Sequence, residues 1–203
     1  MNIGILVSGR GTNMESIIEA SEKGLIKSKI LVVISNKKDA LALSKAKKHG
    51  IQSIYVSPKN KSNEEYDKEI IKILDEYNVD FVVLAGYLRI LSSVFINKYP
   101  MKIINVHPSL LPCFGGKGFY GEHVHKAVLE SGMKFSGCTV HFVTNEVDNG
   151  PIILQKCVEI LDSDTPETLA ERILPKEHEA LIEAISLIEN NKIEIKGKRV
   201  LIK

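Results

Sequence analysis

The sequence has few cysteines, and those it has are poorly placed for structural work. Cys113, Cys138 and Cys157 are odd in number and far apart, without a C-x-x-C pair. That argues against a disulfide framework and against a zinc site, so no metal is expected. Long apolar runs are missing as well, since nothing approaches the roughly 20 residues of a membrane-spanning helix. The opening residues, Met1-Asn2-Ile3-Gly4-Ile5-Leu6-Val7, lack the basic, apolar, small-residue order of a signal peptide. A cytoplasmic protein with no membrane partner is therefore expected. Excess charge of one sign is absent too. A net charge of +2 over 203 residues, with no basic block interleaved with aromatics, gives no case for a nucleic-acid partner. Repeats, low-complexity segments and linkers are also lacking. A single domain over residues 1–203 is expected, with halves of about 1–100 and 101–203 sharing one sheet. The assembly is left open between monomer and homodimer.

What is present alternates between two periods. Apolar, β-branched segments at 3–7, 31–36, 53–56, 80–86 and 102–106 read as strands. Between them, 14–21, 40–49 and 63–77 carry helical patterns; in the last, Ile70, Ile71, Leu74 and Tyr77 share a face. Strands alternating with helices predict right-handed βαβ units: an α/β fold with a doubly wound, mostly parallel sheet flanked by helices, Rossmann-like in its N-terminal half. Further on, 122–131 reads as a helix, and 138–143 and 152–159 read as strands. Asp164 or Thr165 is placed to cap a helix with Pro166 in its first turn, and Pro175 should kink or interrupt that helix. Residues 193–202 read as a closing hairpin.

The chemistry concentrates at the end of the 102–106 strand. Asn105 and His107 are two apart, so on an extended chain both side chains point to one face. Pro108 forbids a helix directly after the His and biases His107 to extended geometry. An amide and an imidazole are thus fixed side by side at the C-terminal edge of a strand, where open α/β sheets bind ligands. Asp148 lies in the turn-rich stretch Asp148-Asn149-Gly150-Pro151 between two strands, as either a turn-former or a positioned carboxylate. Paired with His107 it would raise the imidazole pKa and fix its tautomer. Imidazolium and Asn amide would then both donate to an oxygen gaining negative charge. No Ser or Cys stands beside a base, so the set suits direct attack of an amine on an activated carbonyl, with His107 shuttling the proton. His123 and His125 face different directions on their helix and are read as non-catalytic; His141 is given no role.

Two loops offer binding surfaces. Ser8-Gly9-Arg10-Gly11-Thr12-Asn13 joins a strand to a helix start, as either a tight βα turn or a single-phosphate cradle. It is neither a dinucleotide fingerprint, which needs glycine at Met14, nor a P-loop. Gly86-Tyr87-Leu88-Arg89-Ile90-Leu91 follows an apolar strand, as either ordinary packing or a wall for a flat aromatic ligand. The stretch 114–121 carries four glycines and reads as an active-site loop.

With Asn105-Val106-His107-Pro108-Ser109-Leu110-Leu111-Pro112, Val140-His141-Phe142-Val143, Asp148 to Gln155 and Glu177-His178, these loops make a set that resembles the glycinamide ribonucleotide formyltransferase family, in family order over nearly the whole chain. The resemblance implies a formyltransferase fold and transfer of a formyl group from the cosubstrate 10-formyltetrahydrofolate to glycinamide ribonucleotide in purine synthesis. It implies that backbone at Gly11, Thr12 and Asn13 holds the ribose phosphate and that Glu177 binds the glycinamide amino end. Leu88, Arg89, Ile90 and Leu91, with Asn105, would line the folate pocket. Asn105 and His107 would stabilise the tetrahedral intermediate, and Asp148 would keep His107 protonated and relay the proton. Asn63 stands where many members carry an Arg that helps with folate. The alternative is a formyltetrahydrofolate deformylase-like hydrolase, in which water replaces the amine.

Overall fold

The computed structural model describes residues 1–203. The chain forms two compact units, Met1–Ile104 and Asn105–Lys203.

In the first unit β1 (Asn2–Val7) is followed by α1 (Thr12–Glu22), β2 (Lys29–Ser35), α2 (Leu41–Lys48), β3 (Gln52–Tyr55), α3 (Asn63–Glu76) and β4 (Phe81–Leu84). The strands lie in the order β3-β2-β1-β4 and every pair is parallel. β4 is buried throughout and β1 at every position after Asn2, which is why both read as unbroken apolar runs. α3 begins in a capping box, with Glu65 N–H donating to Ser62 Oγ at 3.2 Å and Ser62 N–H to Glu65 Oε2 at 2.8 Å. It buries Tyr66, Ile70 and Leu74, and Gly4 is small because a Cβ there would lie 2.6 Å from Leu74 Cδ2. The chain winds outward from β1 to β3 and then returns to place β4 on the other side of β1. The C-terminal ends of β1 and β4 therefore flank a topological switch point, the place where a doubly wound sheet opens a crevice for ligands. A short helix, α4 (Ser93–Lys98), follows the β4 loop.

β5 (Ile103–His107) crosses the division between the units. The second unit continues with α5 (Glu122–Glu130), β6 (Phe135–Phe142), β7 (Ile152–Glu159), α6 (Pro166–Glu189), β8 (Ile193–Lys196) and β9 (Arg199–Ile202), its strands in the order β5-β6-β7-β9-β8. β6 and β7 are antiparallel, β9 runs parallel to β7, and β8 and β9 form the terminal hairpin. β6 starts earlier than its pattern indicates. Gly137 has φ +155° and lies so close to β7 that a Cβ would sit 1.9 Å from the Lys156 carbonyl oxygen. Thr165 caps α6, and Leu169, Ile173, Leu181 and Ile185 fill its buried face. The expected break at Pro175 does not occur: α6 runs as one helix through it. Pro175 and Glu171 are both exposed, so the carbonyl freed by the missing N–H is open to water. No helix is long and apolar enough to cross a membrane.

Candidate active site

β5 places Asn105 and His107 on one face, separated by Val106 on the other. Val106 and His107 are buried and Asn105 is half-buried. The segment after them is tied down by polar side chains. Ser109 Oγ donates to the Cys113 carbonyl at 2.7 Å, and Thr139 Oγ1 donates to the Ser109 carbonyl at 2.7 Å. Leu111 N–H donates to Thr139 Oγ1 at 3.0 Å, and Gln155 Nε2 donates to the Leu111 carbonyl at 2.9 Å. This web brings the Phe114 carbonyl to 2.7 Å from His107 Nε2. With Nε2–H donating there, the neutral imidazole leaves Nδ1 free as the basic nitrogen.

Asp148 arrives from the loop between β6 and β7. Its Oδ2 lies 3.6 Å from His107 Nδ1 and accepts from Gly116 N–H at 2.9 Å; its Oδ1 lies 3.6 Å from His141 Nε2. Asp148 has φ +53°, a strained value for a residue with a side chain. The glycines around it make this position reachable. A Cβ on Gly150 would lie 1.8 Å from the Phe142 carbonyl oxygen, and one on Gly115 would lie 3.2 Å from Asp148 Cβ. His141 completes the group and is the residue that sequence reasoning left without a role. Its Nδ1–H donates to the Phe142 carbonyl at 2.9 Å, leaving Nε2 to accept from Asn105 Nδ2 at 3.3 Å. The amide of Asn105 is thereby oriented, with its second N–H available to a ligand. The Val-His-Phe alternation puts His141 on a strand face, but only the register shift between Val140 and His141 shows which partners it meets.

The electrostatics correct one expectation. Burial lowers the His107 pKa, and it outweighs the Asp148 carboxylate and the Phe114 carbonyl, which pull it upward. His107 is therefore neutral near pH 7 in the free protein, not held protonated by Asp148. Burial pushes the Asp148 carboxyl upward, but the His141 ring, the Gly116 N–H and the His107 ring together hold it below the usual carboxylate range. The result is a fixed anion next to a buried neutral base. No group of three or more His, Cys, Asp or Glu side chains is placed to hold a metal ion. His125 is buried and His123 exposed, as residues two apart on α5 must be.

The two expected binding loops lie in the first unit, at the ends of β1 and β4. Gly11 caps α1 in the left-handed conformation, φ +73°, and presents the first turn of the helix at Thr12 and Asn13. A Cβ on Gly11 would meet Ala42 Cβ at 2.6 Å. Ser8 N–H donates to the Gly86 carbonyl at 3.1 Å, and Leu88 N–H donates to Ser8 Oγ at 2.9 Å, so the two loops are joined. Along the second, Tyr87 and Leu91 are buried while Leu88 and Ile90 are each 52% exposed. Arg89 stacks over the Tyr66 ring at 4.5 Å and donates to Asn63 Oδ1 at 2.9 Å. Glu177 is half-buried on α6, and its charge is felt at the buried Cys138 thiol.

An α/β fold with an amide, a buried imidazole and a fixed carboxylate gathered at one strand end has the groups that proton transfer at a carbonyl uses. The family profile described as formyl transferase matches residues 1–185, and the chain belongs to that family. It is 42% identical over 195 residues to the chloroplastic phosphoribosylglycinamide formyltransferase of Arabidopsis thaliana, covering 95% of this chain and 66% of that protein. To the phosphoribosylglycinamide formyltransferase of Escherichia coli (strain K12) it is 41% identical over 179 residues, covering 88% of this chain and 82% of that one. The crystal structure of glycinamide ribonucleotide transformylase 1 from Symbiobacterium toebii superimposes with a TM-score of 0.95 at 42% identity, covering 100% of this chain and 93% of that one. The chain spans 66%, 19% and 62% of the length of the first three curated relatives it matches.

Proposed function

We propose that the protein transfers a formyl group from 10-formyltetrahydrofolate to the amino group of glycinamide ribonucleotide, giving formylglycinamide ribonucleotide and tetrahydrofolate. The observation that carries this reading is the gathering of Asn105, neutral His107 and anionic Asp148 around one point without a nucleophile, in a chain of the formyl transferase family. The folate supplies a formyl carbonyl already bound to nitrogen. As the amine attacks the formyl carbon, the carbonyl electron pair moves to oxygen, and the free N–H of Asn105 donates to it. His107 Nδ1 takes the proton that the attacking nitrogen loses, and Asp148 stabilises the imidazolium so formed. The same proton is returned to the folate nitrogen as its bond to the formyl carbon breaks.

The remaining residues take binding roles in this reading. Gly11, Thr12 and Asn13 hold the ribose phosphate at the α1 N-terminus, where N–H groups and the helix dipole favour an anion. Glu177 meets the glycinamide amino end. Leu88, Arg89, Ile90 and Leu91 wall the pterin pocket, with the exposed Leu88 and Ile90 supplying apolar surface for a flat ring. The test is tetrahydrofolate release by purified protein from 10-formyltetrahydrofolate, with and without glycinamide ribonucleotide. Release only with the amine supports the transferase; release at the same rate without it means that water is the acceptor.

A further inference from the structure

Segment 86–92 belongs to no helix or strand, and its backbone is held by side chains from elsewhere in the first unit. Leu88 N–H is held by Ser8 Oγ at 2.9 Å, the Ile90 carbonyl by Asn63 Nδ2 at 2.9 Å, and Ser92 N–H by Asp67 Oδ2 at 2.6 Å. Ser8 and Asp67 are 2% and 1% exposed, so the two bonds they accept are part-buried, where an unpartnered N–H is costly. The consequence is that Leu88 and Ile90 face outward although both are apolar. Ser8 does more than its two counterparts. Its Oγ–H donates to Asn36 Oδ1 at 2.6 Å, which fixes the hydroxyl lone pairs toward Leu88 N–H. Its own N–H holds the Gly86 carbonyl, and it is the first residue of the turn that leads to Gly11.

We infer that Ser8 is a positioning residue shared by both substrates: one hydroxyl, oriented by Asn36, sets the shape of the phosphate turn and of the apolar wall together. Asn63 positions only the wall. This rests on the formyl-transfer reading for the identity of the ligands, but the hydrogen bonds stand without it.

The experiment compares Ser8→Ala, Ser8→Thr, Asn36→Ala and Asn63→Ala with the parent chain, by steady-state kinetics varying each substrate and by titration calorimetry with each substrate alone. Losing one buried hydrogen bond should raise the affected constants by about tenfold. Ser8→Ala raises KM for both glycinamide ribonucleotide and 10-formyltetrahydrofolate, with kcat within about threefold of the parent because no reacting atom is touched. Ser8→Thr, which keeps the hydroxyl, restores both. Asn63→Ala raises only the folate constant. If Ser8→Ala does not fold, Asn36→Ala, which leaves the hydroxyl in place but unoriented, gives the paired rise in weaker form. A Ser8→Ala or Asn36→Ala protein that folds and shows a rise in one constant only, or in neither, overturns the inference. A parent chain that binds both compounds without transferring the formyl group overturns the activity instead, and the calorimetric comparison still decides the role of Ser8.

Discussion

His107, the proton carrier of the proposed reaction, is subject to two opposed influences on a single ring. Burial favours the neutral imidazole, the Asp148 carboxylate favours the cation, and burial wins. The sign of one measurement follows. Followed by NMR, the His107 imidazole titrates below the 6.5 of a free imidazole, and in Asp148→Asn, where the upward pull is gone, it titrates lower still. A rise in Asp148→Asn would mean that the carboxylate does not act on this ring. For turnover, His107→Ala and Asp148→Asn should lower kcat by about 10²–10⁴ while leaving KM for glycinamide ribonucleotide within a few-fold, as loss of a proton carrier does. Near-normal turnover in either removes that residue from the mechanism. That Asn105 and His107 share a face was legible in the sequence, because they stand two apart on a strand; that Asp148 comes within 3.6 Å of His107 was open there, a turn-former being the other reading. His141 was not legible, because its part depends on which nitrogen carries the proton, and that is set by a main-chain carbonyl one residue away. The charge state of His107 was not legible either, since burial is a property of the fold.

The strands and long helices follow from apolar periodicity, and most lie within a residue or two of where the pattern puts them, as with α3 at Asn63–Glu76 and β7 at Ile152–Glu159. The departures have local causes. α4 is six residues long, too short for a 3.6-residue period to be visible; its N-cap Ser92 donates its N–H to Asp67 Oδ2 at 2.6 Å. Pro175 reads as a kink or interruption, yet α6 continues through it with Pro175 on an exposed face, and β6 extends back beyond its pattern through Gly137, which the neighbouring strand requires. The turn between β1 and α1 reads in the sequence as either a tight βα turn or a phosphate cradle. What the structure adds is that Gly11 is obligatory twice over, by φ +73° and by a Cβ contact of 2.6 Å to Ala42. Gly11→Ala should therefore lower the unfolding free energy by about 1–3 kcal/mol and displace the first turn of α1. Urea unfolding with calorimetric titration of glycinamide ribonucleotide checks both parts. Lost stability with unchanged ribonucleotide affinity would assign the turn to packing alone.

Over the chain as a whole, the alternation of strand and helix signals was enough for the α/β class. The sequence puts its two halves at about 1–100 and 101–203, and the chain forms the units Met1–Ile104 and Asn105–Lys203, which part inside β5. The unfolding behaviour with pH depends on groups that the fold buries in both units. His107 and His125 are both held below the usual imidazole value, in each case chiefly by burial. Below pH 6.5 the unfolded chain therefore binds more protons at these two positions than the folded one, so stability falls as pH falls. The loss begins near pH 6.5 and is complete below the folded values. Two carboxylates that the fold shields act at lower pH and in opposite senses. Asp148, held below its usual value, loses its stabilising contribution only as pH falls below 3.8. Asp67, raised mainly by burial, destabilises the fold when ionised, and that penalty lifts as pH falls through its folded value toward 3.8. The histidines thus govern the first part of the acid decline. Urea midpoints should drop between pH 7 and the folded imidazole values, and a His107→Gln, His125→Gln double variant should show a shallower slope over the same range. An equal slope in the variant would place the proton uptake elsewhere in the chain.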